Sequence, residues 1–168
     1  IASSLVGSEM CIRDRVIGGK FKGKKILEPQ DKQTRPLKDL TKESIFNIIN
    51  HSNKFSININ KAIVLDLFSG VGSFGIECLS QGASHVTFIE KYEGVLPILK
   101  KNLNNLKSEI NYEIIESDIL NGFEFKSLKL NYDLIFLDPP YKEKTLENIL
   151  NTIIENKILK ENGIIIIH

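Results

Sequence analysis

The chain reads as an α/β protein built on a doubly wound, mostly parallel sheet, and three observations carry that reading. Strand-like and helix-like segments alternate from residue 62 onward. The strand segments, AIVLDL, HVTFIE and YDLIFLD among them, are nearly continuous in apolar residues, as strands covered on both faces are. The first of them runs into a glycine-rich turn and then a helix, the unit that parallel sheets place at their ligand-bearing edge.

In chain order, residues 1–14 (IASSLVGSEMCIRD) show neither strand alternation nor a helical apolar face, and they lack the basic start and long apolar core of a secretory signal. They resemble translated sequencing-adaptor read-through and are set aside as a non-native leader, Cys11 with them. From Arg15 apolar and basic residues alternate as far as Ile26, with Gly18, Gly19 and Gly23 supplying bends, which predicts a short hairpin or bulged ribbon with its lysines along one face. Thr34-Arg35-Pro36 introduces a helix over 37–50 whose apolar stripe is Leu40, Ile45, Phe46, Ile48 and Ile49, and 50–60 is a polar connection. Strands are then predicted at 62–67, 85–90, 112–117, 132–138 and 163–168. Helices are expected near 73–81, 92–106, 119–129 and 143–157, the second with Val95, Leu96, Leu99, Leu103 and Leu106 on one side. The organisation is one domain: an N-terminal ribbon and helix over 15–60, then an α/β core over 61–168.

Composition agrees. The 168 residues are 42% hydrophobic, enough for one self-sufficient core, and apolar runs such as 164–167 are far too short to span a membrane. Two cysteines, without His or Cys neighbours at ligand spacing, indicate neither a disulfide framework nor a zinc site. A soluble, cytoplasmic protein without a metal is expected. Net charge is only +1, but residues 15–48 carry nine basic and four acidic side chains while 109–168 carry six basic and eleven acidic. The front is thus a candidate polyanion surface, although a solvated lysine-rich face would look the same.

Ligands of such sheets sit beyond the carboxyl ends of the strands, and four of those ends carry signals. Asp66 through Gly75 (DLFSGVGSFG) is the glycine loop; Gly70, Gly72 and Gly75 also fit the dinucleotide fingerprint, weak on its own. Glu90 closes the next strand, where a carboxylate can accept both ribose hydroxyls of a nucleotide cofactor. Asp118, after Ser117, could bond an adenine amine or cap the helix expected from Ile119. The fourth end is Asp138-Pro139-Pro140-Tyr141. Two prolines stiffen the loop and remove two N–H donors, so a carboxylate, proline carbonyls and an aromatic platform converge as a grip for a planar NH2 group. Such a grip leaves the amine lone pair aimed at an electrophilic methyl.

Together Asp66–Gly75, Glu90, Asp118 and Asp138–Tyr141 resemble the S-adenosylmethionine-dependent amino-methyltransferases. Arg15-Val-Ile-Gly-Gly, Thr34-Arg35-Pro36 and Glu43-Ser-Ile-Phe-Asn47 narrow the resemblance to the bacterial 16S ribosomal RNA guanine-N2 methyltransferases of the RsmD type, over Arg15 to His168. The resemblance implies a Rossmann-like class I methyltransferase fold and methyl transfer to a guanine amine in small-subunit rRNA. It implies cofactor contacts along Asp66, Phe68, Ser69, Gly70 and Gly72, at Glu90 for the ribose, and at Asp118 and Ile119 for the adenine. The target base would lie against Asp138, Pro139, Pro140 and Tyr141, and rRNA phosphates against Arg15, Lys20, Lys22, Lys24, Lys25 and Arg35. The substrate would be an assembling small subunit and the enzyme a monomer.

One departure stands out: methyltransferases of this class add a final β-hairpin after the strand at 163–168, so the sequence is expected to be a fragment lacking that hairpin. Adenine-N6 and cytosine-N4 methyltransferases of DNA or RNA share the diproline signature and remain alternatives. A nicotinamide-dependent oxidoreductase would use Gly70–Gly75 and Glu90 but leaves Asp138–Tyr141 without a task, and a non-catalytic RNA-binding protein would need only the basic front.

Overall fold

Five strands, β1 (Ile63–Leu67), β2 (His85–Glu90), β3 (Tyr112–Glu116), β4 (Tyr132–Leu137) and β5 (Leu159–Ile167), form one sheet in the order β3-β2-β1-β4-β5. All four neighbouring pairs are parallel. The computed structural model describes residues 14–29, 37–52, 56–139 and 143–168. Four helices accompany the strands: α1 (Asp39–His51), α2 (Ser73–Ser80), α3 (Leu96–Asn104) and α4 (Glu143–Glu155). Among the described residues, no helix is long and apolar enough to cross a membrane.

Alternation along the strands sends side chains to two cores. Val64, Val86, Phe88, Leu134 and Phe136 face α1, α2 and α3, whose Phe46, Ile49, Phe74, Leu99 and Leu103 complete that core. Phe74 stacks between Phe46 and Phe136, with ring centroids 5.3 and 3.9 Å away. Leu65, Leu67, Ile89, Ile135 and Leu137 face the other way, onto Ile149 and Ile153 of α4 and onto Ile119 and Phe125. The doubly wound α/β sheet expected from the sequence is therefore present, and the order reverses between β1 and β4, which opens the ligand crevice there.

Several elements differ from the sequence expectation for local reasons. Residues 119–129 hold no α-helix, only a 3-10 turn at Phe125–Ser127. Asp118 spends its carboxylate on the Leu120 N–H (3.0 Å), closing an Asx turn, and Gly122 then takes φ 85°, which breaks any helix. α3 begins at Leu96 rather than at 92, because Lys91 and Tyr92 give their N–H groups to Glu90; its five expected core residues are all buried. β5 starts four residues early: Leu159 pairs with Tyr132, the register then shifts, and Lys160 Nζ reaches Asp133 Oδ2 at 2.8 Å.

The N-terminal extension is more deeply built in than a surface ribbon would be. One antiparallel bridge joins Arg15 to Lys25 around a 3-10 turn at Gly19–Phe21, and Val16, Phe21 and Ile26 are buried in the α2 core. Asp14, grouped with residues 1–13 on sequence grounds, belongs to this unit: its carbonyl accepts the Ile26 N–H at 2.9 Å and its carboxylate meets Lys42 at 2.7 Å. The apolar stripe of α1 is rotated from the one expected. Leu40 and Ile48 are 78% and 56% exposed, while Phe46, Ile49 and Lys42 are buried, because the Lys42 ammonium has inward acceptors.

Candidate active site

Register brings the functional ends to one level. Leu67 lies beside both Ile89 and Leu137, so Phe68, Glu90 and Asp138, each the next residue along, leave the sheet in one row. The loop after β1 occupies the middle of that row. It turns by left-handed residues at Phe68 (φ 61°), Gly70 (φ 53°) and Gly72 (φ 84°). Gly75 is glycine for a different reason, since a Cβ there would collide with the Phe88 ring, and its absence lets α2 lie close on β2. Ser69 pins the loop to β2, its N–H and its Oγ both donating to the Ile89 carbonyl, at 3.1 and 3.3 Å.

Asp66 holds this loop from beneath. It is 1% exposed and its Oδ2 accepts the Gly75 N–H at 2.9 Å. Burial pushes its carboxyl up to about 8, against the Gly75 bond, and the Asp138 and Glu90 carboxylates add to the rise, so Asp66 is neutral at pH 7. Glu90 is fixed by three backbone donors: Lys91 and Tyr92 to Oε1, both at 2.8 Å, and Gly70 to Oε2 at 2.7 Å. A carboxylate accepts about four hydrogen bonds, so roughly one further position is left, on Oε2. The three donors lock the rotamer before any ligand arrives.

Asp118 lies beyond β3, where Ser117 N–H bonds the Glu90 carbonyl at 3.0 Å. Its Oδ2 accepts Lys91 Nζ at 2.9 Å and Asn121 Nδ2 at 2.7 Å. Slight burial opposes ionisation, yet the bonds from Asn121, Lys91 and Leu120 hold the carboxyl below the usual range. Of the two roles offered for Asp118, the helix cap fails, since no helix begins at Ile119 and the carboxylate caps a turn; its side chain is 24% exposed beside Lys91. Ile119, 8% exposed, packs into the α4-side core.

On the other side of the loop, Asp138 and Pro139 are half-buried, while Pro140 and Tyr141 lie outside the described residues. Asp138 Oδ1 is 3.3 Å from His168 Nδ1, and His168 N–H bonds the Leu137 carbonyl at 2.9 Å. His168 escaped the sequence reading, although its place just after the apolar run IIII at 164–167 was a usable signal.

The lysines of the front do not act alike. Lys20 Nζ donates to Ser108 Oγ at 2.6 Å, and Lys24 Nζ to the Asn105 and Leu106 carbonyls at 2.9 Å each, closing the end of α3. Lys22 and Lys25 are exposed, as is Arg15, whose Nε is 3.5 Å from Asp39. Arg35 lies outside the described residues.

A parallel sheet reversed at β1/β4, with a glycine loop between Glu90 and Asp138, is a Rossmann-like arrangement with its ligand crevice at the switch point. Residues 14–168 match the family described as Conserved hypothetical protein 95, and the chain belongs to it. "Ribosomal RNA small subunit methyltransferase D" of Haemophilus influenzae is 35% identical over 152 residues, covering 90% of this chain and 76% of that protein. The Bacillus subtilis protein YlbH, provisionally named an rRNA methyltransferase, is 35% identical over 90% of this chain and 80% of its own length. In structure, yhhF of Escherichia coli, provisionally described as a methyltransferase, superposes with a TM-score of 0.75 at 32% identity, over 91% of this chain and 78% of that one.

Proposed function

We propose that this protein binds S-adenosylmethionine across the ends of β1, β2 and β3 and transfers its methyl group to the exocyclic amine of a guanine in small-subunit ribosomal RNA, in the cytoplasm and as a monomer on an assembling particle. The observation that carries the reading is the row formed by Glu90, the glycine loop and Asp138. The names of the family's ribosomal relatives support the rRNA substrate.

The residues present fit the cofactor. Bound there, S-adenosylmethionine supplies an electrophilic methyl on a sulfonium. Glu90, preset by three N–H donors, has acceptor capacity left for a ribose hydroxyl, and the left-handed loop from Phe68 to Gly72 lets backbone approach closely. Ile119 supplies an apolar edge and Asp118 an acceptor beside β3 for the adenine. With burial keeping Asp66 mostly protonated, the carboxylates left around a cationic donor are Glu90, Asp138 and, beside β3, Asp118.

Asp138 handles the other reactant. Guanine N2 is a weak nucleophile because its lone pair is delocalised into the ring, so the site contributes orientation more than base strength. The Asp138 carboxylate would accept one amine hydrogen and face the nitrogen on which positive charge grows as the N–C bond forms and the donor's S–C bond breaks to leave a neutral thioether, stabilising that charge. The surplus proton then leaves toward Asp138 or water. By their sequence Pro139, Pro140 and Tyr141 would belong to the same grip, and Arg15, Lys22 and Lys25, exposed on the extension, would meet phosphates.

The test is incubation with methyl-labelled S-adenosylmethionine and, in parallel, naked small-subunit rRNA, partly assembled small subunits and DNA, followed by mapping of the product. Label on a guanine N2 of the rRNA is expected. Label on adenine or cytosine of DNA, or stabilisation of the protein by NAD and not by S-adenosylmethionine, would overturn the reading.

A further inference from the structure

The glycine loop is gripped from outside its own strand at the two residues that flank Gly72. On one side Asn102 of α3, 3% exposed, donates from Nδ2 to the Val71 carbonyl at 3.0 Å. The same amide pairs with the N-terminal extension, accepting the Leu27 N–H at 2.8 Å and donating to the Leu27 carbonyl at 3.1 Å. On the other side Lys42 of α1, with no exposed surface, donates to Ser73 Oγ at 3.1 Å and also to the Arg15 carbonyl at 2.7 Å. Glu77 of α2, equally buried, takes the Ile17 and Gly18 N–H groups at 2.8 Å each.

Burying an amide and an ammonium costs free energy that a leucine at either place would not, so such groups are retained where they fix an arrangement. Here both join the same two bodies. One end of each grip is the backbone of the extension that carries exposed Arg15, Lys22 and Lys25, and the other end is the loop under the cofactor site. Lys42 and Asn102 sit on different helices and reach opposite flanks of Gly72, the left-handed residue from which the loop enters α2.

We infer that Asn102 and Lys42 are positioning residues coupling the RNA-facing extension to the cofactor loop, so that RNA held by the extension tightens S-adenosylmethionine binding and the cofactor tightens RNA binding equally. This rests on the function proposed above. The coupling runs through contiguous buried hydrogen bonds, and reciprocity follows because both ligands bias one shared arrangement.

Calorimetric titration of S-adenosylmethionine, with and without saturating small-subunit rRNA transcript, tests it on the full chain. For the wild type, RNA should lower the cofactor Kd by about 5-fold or more. Asn102→Asp keeps the acceptor for Leu27 N–H and loses both donors. It should raise the RNA-free Kd about 10-fold, roughly the loss of one buried hydrogen bond, and bring the ratio of the two Kd values to within about 2-fold of unity. Ser73→Ala, a mild change that cuts the other grip, should lower the same ratio, which keeps the test decisive if Asn102→Asp fails to fold. Leu106→Ala, a core truncation at the end of the same helical segment, should lower Tm and leave both Kd and ratio at wild-type values. A wild-type ratio of one, or a full ratio in Asn102→Asp or Ser73→Ala, would overturn the inference. A wild-type chain that binds no S-adenosylmethionine at all would instead overturn the proposed function beneath it.

Discussion

The two sides of the crevice are built to different standards of closure. On the β2 side, Glu90 is 9% exposed with three backbone donors, and Asp66 beside it is 1% exposed and bonded to Gly75. On the β4 side, the Asp138 side chain is 32% exposed, with His168 at 3.3 Å. A carboxylate held by three of its own backbone N–H groups is organised in advance for a ligand whose shape never varies. One left open keeps its acceptor capacity for a reactant that arrives attached to a macromolecule. On the proposed function, cofactor binding on the β2 side and target alignment on the β4 side are therefore separable.

The largest effect is expected at Asp138. Asp138→Ala leaves one amine hydrogen without its acceptor and removes a charge aimed at the developing cation. The loss should be on the order of 2–4 kcal/mol in the transition state, so single-turnover methylation should slow about 30- to 1000-fold while RNA affinity stays within a few-fold. Near-normal rates would make Asp138 a structural loop residue.

Next in size is Glu90→Ala. It deletes the ribose acceptor and frees the Gly70, Lys91 and Tyr92 N–H groups, so S-adenosylmethionine should bind about 10- to 100-fold more weakly and its thermal shift should largely vanish. Unchanged affinity by calorimetry would move the cofactor elsewhere.

Burial gives Asp66 a pH signature. Its carboxyl titrates near 3.8 when unfolded and about 8 when folded, so between those values the native state holds a proton that the unfolded chain has lost. Stability therefore falls as pH rises through that window, by on the order of 1 kcal/mol per unit. Asp66→Asn keeps an oxygen for the Gly75 N–H and should flatten the slope in urea melts between pH 6 and pH 8, above the point at about 6 where buried Asp14 contributes in the same sense. An equally steep decline in the variant would assign the slope to another group.

The smallest effect separates the lysines. Lys22→Ala with Lys25→Ala should reduce the slope of log K against log salt for RNA by roughly 1.4, about 0.7 per phosphate contact on single strands. Lys20→Ala with Lys24→Ala should instead lower stability by about 1 kcal/mol, since those ammonium groups close the end of α3. Equal salt slopes in the two double variants would dissolve the distinction.

Much of this was legible before folding. Buried parallel strands announce themselves as apolar runs, and the glycine loop, Glu90 and Asp138 stand at their ends because strand, turn and helix must follow one another at that spacing. The region after Asp118 misled because ILNGFEFKSLK carries apolar residues at helical spacing, while one Asx turn and Gly122 decide its conformation. The stripe of α1 misled because Lys42 looks like a solvent residue until Asp14, Arg15 and Ser73, 27 to 31 positions away, supply its partners. Asn102, between Leu99 and Leu103, is similar: its partners at Leu27 and Val71 come from remote segments, and no local pattern encodes them.

The division of labour across the crevice is tested most directly by titrating S-adenosylmethionine into Asp138→Ala and Glu90→Ala side by side. The account predicts that Asp138→Ala binds the cofactor within a few-fold of wild type while Glu90→Ala loses at least about tenfold. Equal losses in both variants, or the larger loss in Asp138→Ala, would contradict it.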